Sequence, residues 1–116
     1  MKLPQEIIYW NIIPGIRNRI VKELKSLGLS NEEIAKKLEL SPSSVSLYLK
    51  DKRGKKIKFN KIFLKKIHNS SLKILNDESN VFQEIIFLLN FFKKEKMLCK
   101  ICLKENNMKK CEINYY

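Results

Sequence analysis

The chain has 116 residues, 44% of them hydrophobic, with only three glycines and three prolines, a balance that favours one folded helical unit with an appendage over a disordered chain and leaves little room for a second catalytic domain. Its formal net charge is +12, and residues 50–66 alone carry nine basic side chains against the single acid Asp51, so the excess is a focused patch. A patch of that kind suits a phosphate backbone, against the plainer alternative of a solvated lysine-rich face.

In chain order, Pro4 and Pro14 each mark a helix start, since the missing N–H of proline costs nothing at the first helical position. Helices are predicted over about 4–12 and 14–27, the second with Ile16, Ile20, Val21, Leu24 and Leu27 at helical spacing and Gly28 as its stop. Ser30 and Glu33 form a capping-box pattern that opens a third helix with Ile34, Ala35 and Leu38 inward. Ser41 caps a fourth, with Pro42 at its first position and Val45, Tyr48 and Leu49 inward. The segment DKRGKKIKFN, with Gly54, reads as a basic connector. Phe59, Ile62, Phe63, Ile67, Leu72 and Leu75 predict a fifth helix with a break near Asn69-Ser70-Ser71, and a sixth is expected from Asn80 to Met97. Nine of the twelve residues from Val81 to Phe92 are apolar, which covers nearly the whole circumference and predicts packing against a symmetry mate in a homodimer.

The expected architecture is all-α: a DNA-binding bundle over residues 1–58, a helical dimerisation extension over 59–97 and a cysteine-bearing tail over 98–116. Pro4 and Glu6 interrupt any apolar leader, and the stretch from Val81 to Phe92 falls short of the ~20 residues that span a bilayer, so a cytoplasmic protein with no membrane partner is expected.

A helix-turn-helix needs a small residue where its second helix crosses the first, a tight turn about four residues later and a β-branched anchor in the second helix. Ala35, Glu39 and Val45 stand at those places, with Ile34, Leu38, Leu40 and Tyr48 or Leu49 filling the space between the helices. Glu39 is the departure, because the turn favours a left-handed backbone and hence glycine. The exposed face of the second helix would turn Ser43, Ser44, Ser46 and Leu47 to a major groove and set Ser41 near a phosphate. Lys50, Lys52, Arg53, Lys55 and Lys56 would contact phosphates. The reading helix has no arginine, asparagine or glutamine fork, so direct base readout is modest and phosphate contacts with DNA shape carry much of the affinity.

Over about the first 56 residues the chain resembles archaeal transcriptional regulators with a lambda-repressor/Cro-like (XRE-type) helix-turn-helix. The likeness rests on Pro4-x-Glu6, on Pro14-x-Ile16-Arg17, on Leu29-Ser30-x-x-Glu33-Ile34-Ala35 and on Val45-Ser46-x-Tyr48-Leu49, in that order. It implies dimeric binding to a palindromic operator in double-stranded DNA and, as in many members, a cysteine-bearing C-terminal end.

Cys99, Cys102 and Cys111 form C-x2-C-x8-C, in which a local turn brings the first two sulfurs to one side and the third closes from a short loop. Neighbouring Lys96, Lys100, Lys104, Lys109 and Lys110 favour the thiolate. A fourth ligand would be solvent, His68, an Asn or Glu of the tail, or a partner residue. The spacing alone leaves an iron–sulfur cluster, zinc and a thiol switch open, with inert cysteines as the plainest reading; the resemblance favours a cluster, of the 4Fe–4S type, with zinc as the alternative. His68, the one histidine, reads more simply as a surface or core residue.

The leading expectation is a sequence-specific regulator whose cysteines sense redox or oxygen state. The alternative is a constitutive phage-type or antitoxin-type repressor with structural zinc or inert cysteines. No glycine-rich phosphate loop or Ser/His/Asp set is visible, which argues against an enzyme and against a small-molecule substrate.

Overall fold

The computed structural model describes residues 8–53 and 59–94, together with Leu3 and Glu6, and every regular element among them is helical. A π-helical turn at Ile8–Ile12 runs into α1 (Ile13–Ser26), and α2 (Asn31–Leu38), α3 (Pro42–Leu49), α4 (Lys61–Leu75) and α5 (Val81–Lys94) follow. Lys55, Lys56, Cys99, Cys102, Cys111 and the last turn expected at 95–97 lie outside the described residues.

The chain does not break at Pro14. Ile12 is already helical (φ −73°, ψ −51°) and α1 begins without a side-chain cap. Pro14 offers no N–H to the carbonyl of Trp10 and its ring crowds that carbonyl, so the preceding turn widens to the π form and leads straight into α1.

α1 is the centre of the bundle and packs against all four other helices. Ile16, Ile20, Val21 and Leu24 are fully buried, as their spacing predicts, but Gly15 and Asn18 on α1 and Asn11 in the turn before it are buried as well. A helix enclosed this way takes polar groups inside, and each then needs a partner. Asn18 finds three, whereas Asn11 Nδ2 has none among the described residues.

Four of the helices end in the same turn. Gly28, Glu39, Asp51 and Asp77 have φ of 100°, 55°, 57° and 58°. The next N–H returns each time to a carbonyl five residues back: Leu29 to Leu24, Leu40 to Ala35, Lys52 to Leu47 and Glu78 to Lys73, at 2.9–3.2 Å. This is the Schellman closure, in which glycine normally avoids the left-handed penalty. The three acidic residues each carry strain on the order of 1–2 kcal/mol.

α4 starts with the side chain of Asn60 accepting from the Phe63 N–H at 2.8 Å. Phe59, expected inside this helix, lies just before the cap and packs on Phe63 (ring centroids 4.8 Å apart), while Phe63 also meets Phe92 at 5.2 Å and Phe91 at 6.1 Å. Such pairs add about 0.5–1.5 kcal/mol each beyond the area they bury. The break expected at Asn69-Ser70-Ser71 is absent. Ser70 and Ser71 are buried, and Ser71 Oγ donates to the Ile67 carbonyl at 2.9 Å, so its hydroxyl is satisfied within the helix and does not compete with it.

α5 buries Val81, Glu84, Ile85, Leu88 and Phe92, and the Glu84 carboxylate accepts from Ser79 Oγ at 2.7 Å. Its outward side is not uniformly apolar. Gln83, Asn90 and Lys94 make an exposed polar stripe, flanked on one side by Phe82 and Ile86 and on the other by Phe87, which are 68%, 44% and 46% exposed.

Candidate nucleic-acid interface

α2 and α3 form a short pair, packed on each other and both on α1. α2 opens with a complete capping box: Ser30 Oγ accepts from the Glu33 N–H at 3.2 Å, and the Ser30 N–H donates to Glu33 Oε1 at 3.0 Å. The Ser30 N–H, then its hydroxyl and, more weakly, Lys37 hold the Glu33 carboxyl below its ordinary range, against a small opposing effect of burial. The turn between the helices has Glu39 in the left-handed region (φ 55°, ψ 42°), with its side chain exposed. The strain expected at this position is thus accepted, and the glutamate takes the backbone form that glycine would. Ala35 and Val45 are buried on either side of the turn, with Ile34, Leu38 and Tyr48 beside them and Leu40 and Leu49 half-buried.

α3 holds no charged residue. At its start Ser41 Oγ accepts from the Ser44 N–H at 3.1 Å and lies 3.1 and 3.0 Å from the hydroxyls of Ser43 and Ser44. Ser41 and Ser43 are exposed, but Ser44, Ser46 and Leu47 are half-buried, so the open face is narrower than the helical spacing implies. Part of the cover on Ser44 is Arg53, whose Nη1 reaches back to within 3.4 Å of the Ser44 hydroxyl. Lys50, Lys52 and Arg53 are all exposed. Arg53 thus brings one cation beside the uncharged, hydroxyl-rich helix start, and Lys50 and Lys52 are exposed where the same helix ends.

The residues that hold this helix end escaped the sequence reading. Asn18 Nδ2 donates to the Tyr48 carbonyl (3.0 Å), Asp51 Oδ1 (3.3 Å) and the Arg53 carbonyl (2.8 Å), and Lys22 forms an ion pair with the same Asp51 oxygen. Three acceptors converging on one terminal atom require it to be the amide nitrogen, its two hydrogens shared among them. The one signal in the sequence is an uncharged polar asparagine two residues from Ile16 and from Ile20, in a helix whose other side chains before Ser26 are apolar or charged.

His68, weighed as a fourth metal ligand, has its Nδ1 2.8 Å from Glu23 Oε2 and ties α4 to α1, while Arg19 meets the other Glu23 oxygen at 3.6 Å. Among the described residues no group of three or more His, Cys, Asp or Glu side chains is placed to hold a metal ion. A groove of about 570 Å³ between α2 and the α4–α5 connection is lined by Glu33, Glu39 and Asp77 against Lys36 and Lys37, so it offers no net positive field. No described helix is long and apolar enough to cross a membrane. The chain matches no family model, no curated protein and no solved structure.

Proposed function

We propose that the chain is a sequence-specific double-stranded DNA-binding regulator, with α2 and α3 as its helix-turn-helix and α3 as the reading helix. The observation that carries this reading is the juxtaposition of the charge-free start of α3 with exposed Lys50, Lys52 and Arg53. Cations at the rim suit phosphates, which set position, and serine hydroxyls between them suit base edges, which set sequence. Ser41, Ser43, Ser44, Ser46 and Leu47 are the proposed reading surface, and Lys55 and Lys56 extend the basic run beyond the described part. The activity is binding, not catalysis.

The test is fluorescence anisotropy on duplexes selected from a random pool, repeated from low to physiological salt. Affinity is expected to fall by about tenfold or more as salt rises, and Lys52→Ala to weaken selected and unrelated duplexes alike. Binding that ignores salt would sink the reading.

A homodimer belongs to the same proposal, supported by the apolar flanks of α5 at Phe82, Ile86 and Phe87. Phe82→Asp with Ile86→Asp is expected to shift sedimentation from dimer to monomer; a wild-type monomer at high concentration refutes it. For the tail, the C-x2-C-x8-C spacing suits Cys99, Cys102 and Cys111 as metal ligands, and the resemblance to cysteine-bearing regulators favours an iron–sulfur cluster that senses redox or oxygen state, with zinc as the alternative. Iron and sulfide analysis of anaerobically purified protein decides between them.

A further inference from the structure

We infer that Asn18, inside the bundle and without access to any duplex, is a positioning residue for DNA binding, acting through the turn at Asp51 on Arg53. The inference rests on the DNA-binding reading of α2 and α3.

The geometry has three parts. First, α3 closes with the Lys52 N–H on the Leu47 carbonyl and the Asp51 N–H on the Tyr48 carbonyl, which requires Asp51 to be left-handed. Glycine would make this turn with less strain, but it would have no side chain to hold. Second, the Asp51 carboxylate is drawn onto α1 by Asn18 Nδ2 and Lys22 Nζ, so the strained residue is also the tether. Third, the shortest of the Asn18 contacts, 2.8 Å, is to the carbonyl of Arg53 itself. Asn18 is 3% exposed, so its bonds compete with little water. The backbone of Arg53 is thereby fixed where its guanidinium doubles back over Ser44 at the other end of the reading helix. An arginine side chain on a free connector would spend several rotamers finding that place. Here the main chain from which it hangs is already set by a buried amide 35 residues earlier.

The full chain and a selected duplex test this, with affinity read by anisotropy across a salt series. Absence of wild-type duplex binding ends the DNA-binding reading and this inference together. Where the wild type binds, Asn18→Leu, which keeps the volume and loses the donor, is expected to weaken affinity about tenfold and to flatten the log–log salt slope by about 0.9, the signature of one lost phosphate contact. In an Arg53→Ala background the same substitution should cost less than about twofold, since the contact it would remove is already gone. Asp51→Gly is the second variant, because glycine suits the turn and protects the fold. It is expected to weaken binding about threefold with helical content unchanged, again with a flatter slope. An unchanged salt slope in both variants, or an equal loss from Asn18→Leu with and without Arg53, overturns the positioning role while the DNA-binding reading stands.

Discussion

The chain leaves α3 and α4 by the same backbone turn, with Asp51 and Asp77 at nearly equal positive φ and each facing a lysine of an earlier helix, Lys22 and Lys37. The surroundings differ. The Asp51 side chain is 31% exposed and shares its oxygen with Asn18, which is itself buried; the Asp77 side chain is 84% exposed, with Lys37 as its ion-pair partner at 2.9 Å. One turn is wired into the core and the other is a surface stop. Identical backbone geometry thus says little about how firmly a turn is held; the dielectric and the second donor decide.

The largest effect is expected at Asn18. Asn18→Asp sets a carboxylate against three acceptors in a buried site and should cost about 3 kcal/mol in urea unfolding. A loss under about 1 kcal/mol would show the Asp51 turn to be no better anchored than its counterpart. Next come the paired glycine substitutions, which should differ in sign. Asp77→Gly relieves strain and gives up only an exposed ion pair, a gain of about 0.5 kcal/mol, whereas Asp51→Gly gives up two anchors and should lose about 1 kcal/mol. Melting shifts in the same direction for both would break the comparison. Lys22→Met against Lys37→Met is a finer version, expected at about 1 and 0.3 kcal/mol.

The smallest effect is a matter of pH at Glu33, which Lys37 also influences. Because the folded carboxyl titrates below its ordinary value, its stabilising contribution is present above the ordinary carboxylate range and disappears as pH falls through the lowered folded value. Ser30→Ala should return the Glu33 titration toward the ordinary range and flatten the acid limb of stability, with Lys37→Met moving it in the same direction by less; NMR titration of the Glu33 side chain reads both.

Much of this frame was legible beforehand. Ser30, Ser41 and Gly28 mark helix ends through hydrogen bonds that their own side chains or backbone freedom dictate, and the observed bounds follow them. Local chemistry misled where a residue had a tertiary alternative. Three polar residues at 69–71 resembled a break, yet two of them lie buried in a continuous helix. The most consequential omission was Asn18. The stripe Ile16, Ile20, Val21 and Leu24 puts it on the far side of α1, where a solvent face is expected, and only the arrival of α3 turns that side into interior. The exposed half of the candidate interface follows from helical spacing and charge; the buried half depends on contacts 30 to 35 residues apart, which no local pattern encodes.

The tether at Asn18 also has a consequence for how the molecule opens. Termini and loops usually exchange their amide hydrogens through small local fluctuations, well before the core gives way. The amide of Lys52, bonded to Leu47 and hung from a helix whose Ile16, Ile20, Val21 and Leu24 are fully buried, should instead exchange at close to the rate of α1 itself. The amide of Glu78, in the matching turn after α4, should exchange far sooner. An outwardly exposed basic segment would then have the slow breathing of an interior helix, and a destabilising change deep in α1, such as Ile20→Val, would be felt at the surface as earlier opening of the residues around Arg53.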